Sequence, residues 1–415
     1  MLSTSQTRST TETISRVVVD QKYVIVKNIY KGQQYNLFLV KRQLAIKQEQ
    51  SNDINQFNHQ EKYYLIKMKK QTQQNEAIPE LQFLIRLKDF NCVPFLIKYG
   101  EQVIKGSKYH YQIMERHGPS IKLIYNYLSR NIPLSILCLI AIQALTCLEV
   151  IHKYQIVHRN IRPKKLLLST TGNEILLSDF KYACKFKKQH GSLMVNENYK
   201  LNSNKYFLNK YSSVNQHLNQ IPTPKDDLES LAYILLIYAS NSNVFQIEAE
   251  NKGLKLKKLE SVKISIIPEI AFKFAPFEFI HFLHLVKTSN ANDYPQDYEK
   301  FKQLFRKIIQ TNGYTEKELS YPLFHMNLQE KTQQSLFQSQ TSKFKKMQHQ
   351  KMSSESIKEE DQDDEISLYQ TEKVGEDRTI EPLIKGLAKK SFKHISFLNQ
   401  HQVEQQIVKL KFTKK

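Results

Sequence analysis

The sequence is poor in cysteine, the residue that most often builds covalent or metal-held scaffolds. Four cysteines occur in 415 residues, and they are scattered without a CxxC pair, at Cys92, Cys138, Cys147 and Cys184. This spacing excludes a small disulfide-stapled scaffold and argues against a structural zinc site. Isolated thiols in a chain of this size instead fit a reducing compartment.

Arginine is also scarce, since only ten of the 61 basic residues are arginine. Against 40 acidic residues the formal net charge is +21, and lysine carries most of it. Lysine is a flexible and strongly hydrated point charge that lacks the planar fork with which arginine holds phosphate or carboxylate. This charge would suit nucleic acid, an anionic membrane or a phosphorylated protein as partner, without selecting among them. The alternative is a lysine-rich surface that only keeps the protein in solution.

Long apolar runs are almost absent, and the N-terminus has none, so a secretory signal is not expected. The one run of near-membrane length, residues 132–151, contains Pro133, Gln143 and Glu149 and lies at the lower length limit for spanning a bilayer. We interpret it as a buried helix and expect no transmembrane segment. Because 40% of the residues are apolar, global disorder is excluded as well.

Changes of composition divide the chain into four parts. Residues 1–21 are rich in serine and threonine and are predicted to form a disordered tail. Residues 22–116 contain five short β-rich runs and one helical segment, which indicates a small sheet-rich lobe. Residues 117–325 form a larger helical lobe, and residues 326–415 are predicted to be a mostly disordered tail with a basic amphipathic helix near 387–410. The main helices of the larger lobe are predicted at 132–151, 228–239, 277–286 and 297–310. The fold class is therefore α+β.

Two blocks in the larger lobe carry the most specific signal. The segment IHKYQIVHRNIRPKKLLL (151–168), followed by ILLSDFKYACKF (175–186), resembles the catalytic loop and the metal-binding loop of protein kinases. Three further blocks narrow the resemblance to the casein kinase I family, namely HGPSIKLIY (117–125), YSSVNQHLNQIPTPKDDLESLAYILLIY (211–238) and PQDYEKFKQLFRKII (295–309). The resemblance implies the two-lobed protein-kinase fold, with a small β-rich N-lobe and a larger helical C-lobe.

The resemblance also implies ATP, with or without magnesium, as the cofactor. It assigns to cofactor binding the residues Lys67, Glu80, Gly32, Glu115, His117, Lys165 and Asp179. Lys67 would reach the nucleotide phosphates, Glu80 would hold that lysine, and Asp179 would also bind the metal. Pro79 starts the helix beside Glu80, whereas the family places the glutamate further inside, so the sequence leaves the Lys67–Glu80 pair open.

Several catalytic features of the family are changed. Asn160 stands in the place of the catalytic aspartate, and an amide cannot accept a proton at neutral pH. Lys165 replaces the asparagine of the second metal site, where an ammonium repels a metal but neutralises a phosphate. The phosphate-covering loop reads YKGQQY and keeps only Gly32, and Lys181 replaces the glycine of the DFG segment. In contrast, Arg162 replaces the catalytic-loop lysine of the family and keeps its charge, so it is assigned to catalysis together with Asn160. Asp227 is expected to keep its scaffolding bonds to the catalytic-loop backbone.

These changes together predict a pseudokinase that acts as a scaffold or as a recognition module for phosphorylated or acidic peptides. The alternative is a weakly active, ATP-dependent serine/threonine kinase, in which Lys67, Asp179 and Arg162 hold ATP and Asn160 orients the hydroxyl. A second alternative is a protein that binds nucleic acid or another acidic polymer through its basic surface. The aromatic platforms interleaved with arginine that would favour nucleic acid are not evident in the sequence.

The family's preference for acidic substrates offers a reason for the basic charge. Casein kinase I enzymes hold a phosphorylated or acidic residue with basic residues near the activation segment and in a following loop. Lys210 matches the first position, and Lys258, in the run KGLKLKK (252–258), matches the second. The implied partner of this anion groove is an acidic or phosphorylated protein. Family members work in several compartments, so we expect an intracellular protein of the cytoplasm, nucleus or cilium, and the sequence predicts no oligomeric state.

Overall fold

The computed structural model describes residues 17–32, 35–43, 62–71, 78–189, 192–195, 208–290 and 297–319. The predicted C-terminal tail, with its helix near 387–410, lies outside the described residues and stays a prediction. Within the described part, strands occupy the N-terminal region and helices dominate after residue 120, which agrees with the α+β class.

An antiparallel sheet of six strands forms the N-terminal part of the described chain. The strands are β1 (Val18–Val19), β2 (Tyr23–Lys31), β3 (Asn36–Arg42), β4 (Tyr63–Lys70), β5 (Leu96–Ile104) and β6 (Ser107–Glu115). Their order across the sheet is β1-β2-β3-β4-β6-β5. Residues 64–68 of β4 are buried without alternation, as expected of a strand that is covered on both faces. This central strand carries Lys67.

Strand β1 corrects the end of the disordered tail predicted at residues 1–21, because residues 17–21 belong to the fold. Residues 1–16 lie outside the described residues, and for them the tail stays a prediction. Val18 and Val19 pair with Val24 and Tyr23 of β2, and Val19 is fully buried. The side chain of Gln102 on β5 then accepts the N–H of Asp20 and donates to the carbonyl of Val18, both at 2.8 Å. Two β-branched residues suffice for a short strand when a neighbour satisfies their backbone. The polar composition before them concealed this signal.

The short helix α1 (Leu81–Arg86) follows β4 and packs beneath the sheet through Phe83 and Leu84, which are both buried. Glu80 precedes it as the N-cap residue with helical backbone angles, directly after Pro79. A proline is well placed just before the first turn because its missing N–H would have no partner there. The early helix start brings the Glu80 carboxylate to the sheet.

The C-terminal part is built on helices. Their bounds are α2 (Ile121–Tyr127), α3 (Leu134–Lys153), α4 (Val214–His217), α5 (Pro224–Ser240), α6 (Lys252–Ser265), α7 (Pro268–Ala271), α8 (Phe277–Thr288) and α9 (Tyr298–Thr311). Helix α3 lies at the centre and packs against α5 and α9. The four helices predicted from apolar runs occur as α3, α5, α8 and α9, with ends that differ by at most four residues.

Helix α3 is long and apolar enough to cross a membrane by length and composition, but 67% of its most apolar window is buried inside the fold. Its buried face includes Leu139, Leu145 and Ile151. Cys138 and Cys147 are buried in the same helix, and burial raises the pKa of both thiols. The helix therefore packs as the core helix that the sequence indicated.

Five short strands place the loops between α3 and α4. They are β7 (Ile156–Val157), β8 (Leu166–Leu168), β9 (Ile175–Leu177), β10 (Cys184–Gln189) and β11 (Ser192–Val195). Strands β8 and β9 form a hairpin, and β10 pairs with both β7 and β11. Because β7 and β8 flank residues 158–165, and β9 and β10 flank residues 178–183, the two loops lie side by side.

Candidate active site

Lys67 and Glu80 form a buried ion pair at the centre of the sheet. The ammonium lies 2.6 Å from the Glu80 carboxylate, and the two side chains are 5% and 3% exposed. The amide of Gln112 on β6 donates to the same carboxylate oxygen. The sequence left this pair open because of Pro79, and the structure forms it. A buried charge pair is expensive to leave incomplete, so each partner fixes the other.

Tyr30, near the end of β2, and Tyr35, just before β3, flank the turn between these strands and stand where the resemblance implies glycines. The rings of Tyr30 and Tyr35 are 5.7 Å apart, and a Cβ added at Gly32 would collide with the ring of Tyr30. The Lys67 ammonium lies 4.2 Å from the centre of the Tyr35 ring, within the range of a cation–π interaction. The ring of Tyr35 therefore lies against Lys67, the lysine that the resemblance assigns to the nucleotide phosphates.

Asp179 is held in the left-handed backbone conformation, at φ 67°, and faces Lys165. The Lys165 ammonium lies 2.7 Å from the Asp179 carboxylate, and both side chains are 3% exposed. Burial alone would raise the pKa of the Asp179 carboxyl, but the charges of Lys165, Lys67 and Lys181 outweigh it and hold the pKa well below its usual range.

Asn160 lies in the catalytic loop with 2% of its surface exposed. Neither its amide nitrogen nor its amide oxygen has a hydrogen-bond partner among the described residues. Its backbone N–H donates to Nδ1 of His158 at 3.2 Å, and Nε2 of His158 lies 3.0 Å from the Ser178 carbonyl. Burial lowers the pKa of His158, which favours the neutral ring that this pattern requires. The side chain of Asn160 is therefore buried in the loop but makes no hydrogen bond with the described residues.

Asp227, on α5, holds the backbone of the same loop. Its carboxylate accepts the N–H of His158 at 2.7 Å and the N–H of Arg159 at 2.8 Å. The ring of His152 contacts it at 2.9 Å. The scaffolding role expected of Asp227 is confirmed by these bonds.

A column of aromatic rings connects the sheet-rich part to this loop. The ring of Phe180 is fully buried and stacks on the ring of Phe83 of α1, with 6.2 Å between the ring centres. It also contacts the ring of His158 edge-on, with 4.8 Å between the ring centres. Such ring pairs stabilise beyond the area they bury. The column ties α1, the Asp179 loop and the catalytic loop together.

Arg162, the second residue assigned to catalysis, and the remaining residues assigned to the cofactor make separate contacts. Arg162 is 9% exposed beside Lys165 in the catalytic loop. Glu115 ends β6, where its N–H donates to the Phe95 carbonyl at 3.0 Å and its carboxylate pairs with Lys62 at 3.2 Å. The ring of His117 is buried, with Nδ1 3.1 Å from the Gly118 carbonyl. These contacts do not test a role in cofactor binding.

The two residues of the predicted anion groove lie on neighbouring elements. Lys210 precedes α4, with its ammonium 5.6 Å from the ring of Tyr211. Lys258 is exposed on α6 and donates to the Glu248 carbonyl at 3.3 Å. The sequence placed Lys258 in a loop, but residues 252–265 form a helix that packs against α4. The lysine-rich run concealed the apolar spacing of Leu256 and Leu259, which are buried.

Lys263, on the buried face of α6, was not singled out from the sequence. Its side chain is fully buried, donates to the Ser212 carbonyl, and lies 3.3 Å from Nε2 of His217. The ring of Tyr233 lies 4.8 Å from its ammonium. Burial lowers the pKa of Lys263 to about 7. The signal was available, since position 263 continues the helical spacing of Leu256 and Leu259, but one lysine among many did not stand out.

A family model for the protein kinase domain matches residues 54–315, well over half of the chain. Strands β1 to β3 precede the matched region but belong to the same sheet. Domains of this family have two lobes and generally bind ATP with magnesium.

The site fits the phosphates of a nucleotide better than it fits magnesium. Lys67, Lys165 and Lys181 bring three positive charges to one carboxylate, Asp179. A metal at Asp179 would lie close to the ammonium of Lys165, which is 2.7 Å from one carboxylate oxygen, and the two positive charges would repel each other. The described residues also contain no cluster of three or more histidine, cysteine or acidic side chains able to hold a metal ion. A phosphate, in contrast, would meet these lysines with opposite charge.

Proposed function

The chain belongs to the protein kinase family, and from this premise we propose that it is a pseudokinase of the casein kinase I type. Its function is to recognise acidic or phosphorylated peptides, and to act as a scaffold for the proteins that carry them. The observation that carries the proposal is Asn160, whose side-chain amide has no hydrogen-bond partner among the described residues and stands in the place of the general base. It lies on a loop in which Asp227 holds the backbone N–H groups of His158 and Arg159. The backbone of the loop is therefore held by Asp227, but the carboxylate that would act as general base is replaced by an amide.

The segment that would support a bound peptide is also held in place. The hydroxyl of Ser213 donates to Asp226 at 2.7 Å, and the N–H of Val214 donates to Glu229 at 3.1 Å. The amide of Gln216 donates to the Arg159 carbonyl of the catalytic loop at 2.7 Å. A rigid surface lowers the entropy cost of binding. These bonds support a binding role for residues 212–217.

The basic charge of the chain supports an anionic ligand. Between residues 22 and 325 there are 43 basic and 25 acidic residues, so most of the net charge belongs to the kinase-like region. Lys210 lies just ahead of the segment at 212–217, and Lys258 lies on α6, which packs against the end of that segment. A lysine is a suitable point-charge partner for a phosphate.

Peptide titration tests this proposal. A serine-containing peptide and its phosphorylated form are titrated against the full chain by fluorescence anisotropy. We expect the phosphorylated peptide to bind more tightly, and we expect Lys210→Glu with Lys258→Glu to weaken that binding about tenfold or more, because two attractive charges become repulsive. The matched control is Lys88→Glu with Lys307→Glu, which makes the same charge change at two exposed positions elsewhere in the chain. Equal affinity for both peptides, unchanged by the groove variant, would contradict the proposal.

A phosphotransfer assay separates the proposal from the alternative of a weakly active serine/threonine kinase. The full chain is incubated with radiolabelled ATP, magnesium and an acidic protein substrate. We expect no transfer above the level of the Lys67→Ala variant. Transfer that is lost in Lys67→Ala would instead support the weak kinase, in which Asn160 only orients the hydroxyl.

A further inference from the structure

The pairing of Lys165 with Asp179 is fixed by the backbone as well as by charge. The Lys165 carbonyl accepts the N–H of Ser178 at 2.9 Å and its hydroxyl at 3.2 Å, and Ser178 directly precedes Asp179. The N–H of Lys165 donates to the Arg162 carbonyl at 2.8 Å. Both loops are therefore locked at the positions that bring the two side chains together. Lys165 is therefore held next to Asp179, unlike a lysine at the surface, whose side chain can rotate away from its partner.

Each of the two buried carboxylates of the site is already paired with a lysine, so neither needs a metal to balance its charge. Lys67 and Glu80 cancel each other, Lys165 and Asp179 cancel each other, and Lys181 adds a positive charge that also acts on Asp179. A divalent cation brought to Asp179 would meet ammonium groups in a buried site, where like charges repel strongly. An anion with several negative oxygens would be attracted instead.

We propose that the Lys165 ammonium takes the place of the divalent cation, so that this site binds a nucleoside polyphosphate, such as ATP or ADP, in its metal-free form. Lys165 stays near Asp179 and offers its positive charge to the phosphate oxygens, while Lys67 does the same from β4. An ammonium carries three donors, so one lysine can serve a carboxylate and a phosphate together. The inference concerns a second ligand and does not rest on peptide binding.

The proposal reverses the usual effect of magnesium on the affinity for the nucleotide. Magnesium-bound ATP carries less negative charge than free ATP, and its metal would approach Lys165. We therefore expect ATP to bind the full chain in EDTA, and an excess of magnesium to weaken the affinity about tenfold. Isothermal titration calorimetry and the shift of the thermal unfolding midpoint both measure this directly, and neither requires catalysis.

Two variants decide whether Lys165 is responsible. Lys165→Asn should abolish or strongly weaken binding in EDTA and make any remaining binding depend on magnesium. Lys164→Asn is the matched control, because it removes the same charge from the adjacent residue and should leave metal-free binding unchanged. Asp179→Asn is the second test, since a metal-dependent site would lose binding, whereas here the released lysine should hold ATP as tightly as before or more tightly.

The possible results separate cleanly. No binding of ATP in EDTA, binding that requires magnesium, or loss of binding in Asp179→Asn would each overturn the proposal. If Lys165→Asn does not fold, Asp179→Asn and the magnesium titration of the unaltered chain still decide. Inorganic tripolyphosphate is titrated in parallel, and we expect it to bind more weakly than ATP. Equal binding of tripolyphosphate would overturn the assignment of the ligand as a nucleoside polyphosphate.

Discussion

The carboxylate of Asp227 accepts the backbone N–H of Arg159 at 2.8 Å, and Arg159 lies in the left-handed conformation at φ 67°. A residue with a Cβ adopts this conformation only at a cost of about 1 kcal/mol or more. The hydrogen bond from α5 therefore holds the catalytic loop in a shape that its own sequence does not favour.

Removing this carboxylate should destabilise the protein strongly. Asp227→Ala leaves the buried N–H of His158 and the partly buried N–H of Arg159 without this acceptor, which we expect to lower the free energy of unfolding by about 3 kcal/mol. Asp227→Asn keeps one acceptor oxygen and should cost less. Urea unfolding followed by circular dichroism measures both, with Asp89→Ala as the exposed control. A loss as small as that of the control would contradict the scaffolding role.

The buried Lys263 predicts an unusual dependence of stability on pH. Its pKa is lowered to about 7 in the folded protein, whereas an unfolded lysine keeps the ordinary value of 10.5. Between pH 7 and 9 the unfolded chain therefore binds one more proton, so stability should rise with pH, by about 1 kcal/mol per unit. Below pH 7 both states hold the proton and this slope disappears. Lys287, whose pKa is also lowered by burial, acts in the same direction.

Thermal unfolding measured between pH 7 and 8.5 tests this slope. Lys263→Met should flatten it, while Lys257→Met, at an exposed position of the same helix, should keep it. The range ends below pH 9 because the buried cysteines, with raised pKa values, have the opposite effect above it. Burial raises the pKa of Asp226 to about 6, so its effect is confined below this range. An equal slope in both variants would assign the effect to other groups.

The ring of Tyr35 should act against nucleotide binding. It lies 4.2 Å from the Lys67 ammonium, and a phosphate that bonds to this lysine has to compete with it. Tyr35→Ala should therefore strengthen ATP binding in EDTA by a factor of about three to ten, the size of one cation–π contact. Calorimetric titration measures the change, with Tyr314→Ala as an exposed control. Weaker binding in Tyr35→Ala would mean that the ring supports the nucleotide instead.

Asp20 should anchor the N-terminal strand. Its carboxylate contacts the ammonium of Lys98 at 2.6 Å and accepts the hydroxyl of Tyr111 at 3.1 Å. Asp20→Ala should lower the local stability of residues 18–25 by about 1 kcal/mol, seen as faster amide hydrogen exchange there. The partly exposed pair of Glu101 and Lys108 is the comparison, because an ion pair at the surface contributes little. Equal effects of Asp20→Ala and Glu101→Ala would show that Asp20 is not an anchor.

Much of the fold could be predicted because its elements are marked locally. Strands β2 to β6 coincide with runs rich in Val, Ile, Tyr and Phe. Helices α3 and α5 coincide with long apolar runs that have caps or prolines at their starts. Such signals depend on a few neighbouring residues, and tertiary packing did not override them here. The kinase family could be predicted from the catalytic loop and the metal-binding loop, because their order and spacing along the chain are specific to that family.

The pairings inside the site could not be predicted, since they join distant parts of the chain. Lys165 is recognisable as a substitution, but its contact with Asp179 depends on how β8 and β9 align the two loops. The position of Tyr35 on Lys67 depends on the pairing of β3 with β4. The burial of Lys263 depends on the packing of α6 against α4. In each case the residue type is visible in the sequence, and the partner is supplied by the fold.

The place of β3 in the sheet has a practical consequence for producing the domain alone. A fragment cut at residue 54, where the family match begins, would lack Leu37 and Val40, which are buried against their neighbours. It would also leave β4 with one unpaired edge, and an open apolar edge of this kind promotes aggregation. A soluble recombinant fragment should therefore begin ahead of Val17, so that the sheet is expressed with all of its strands.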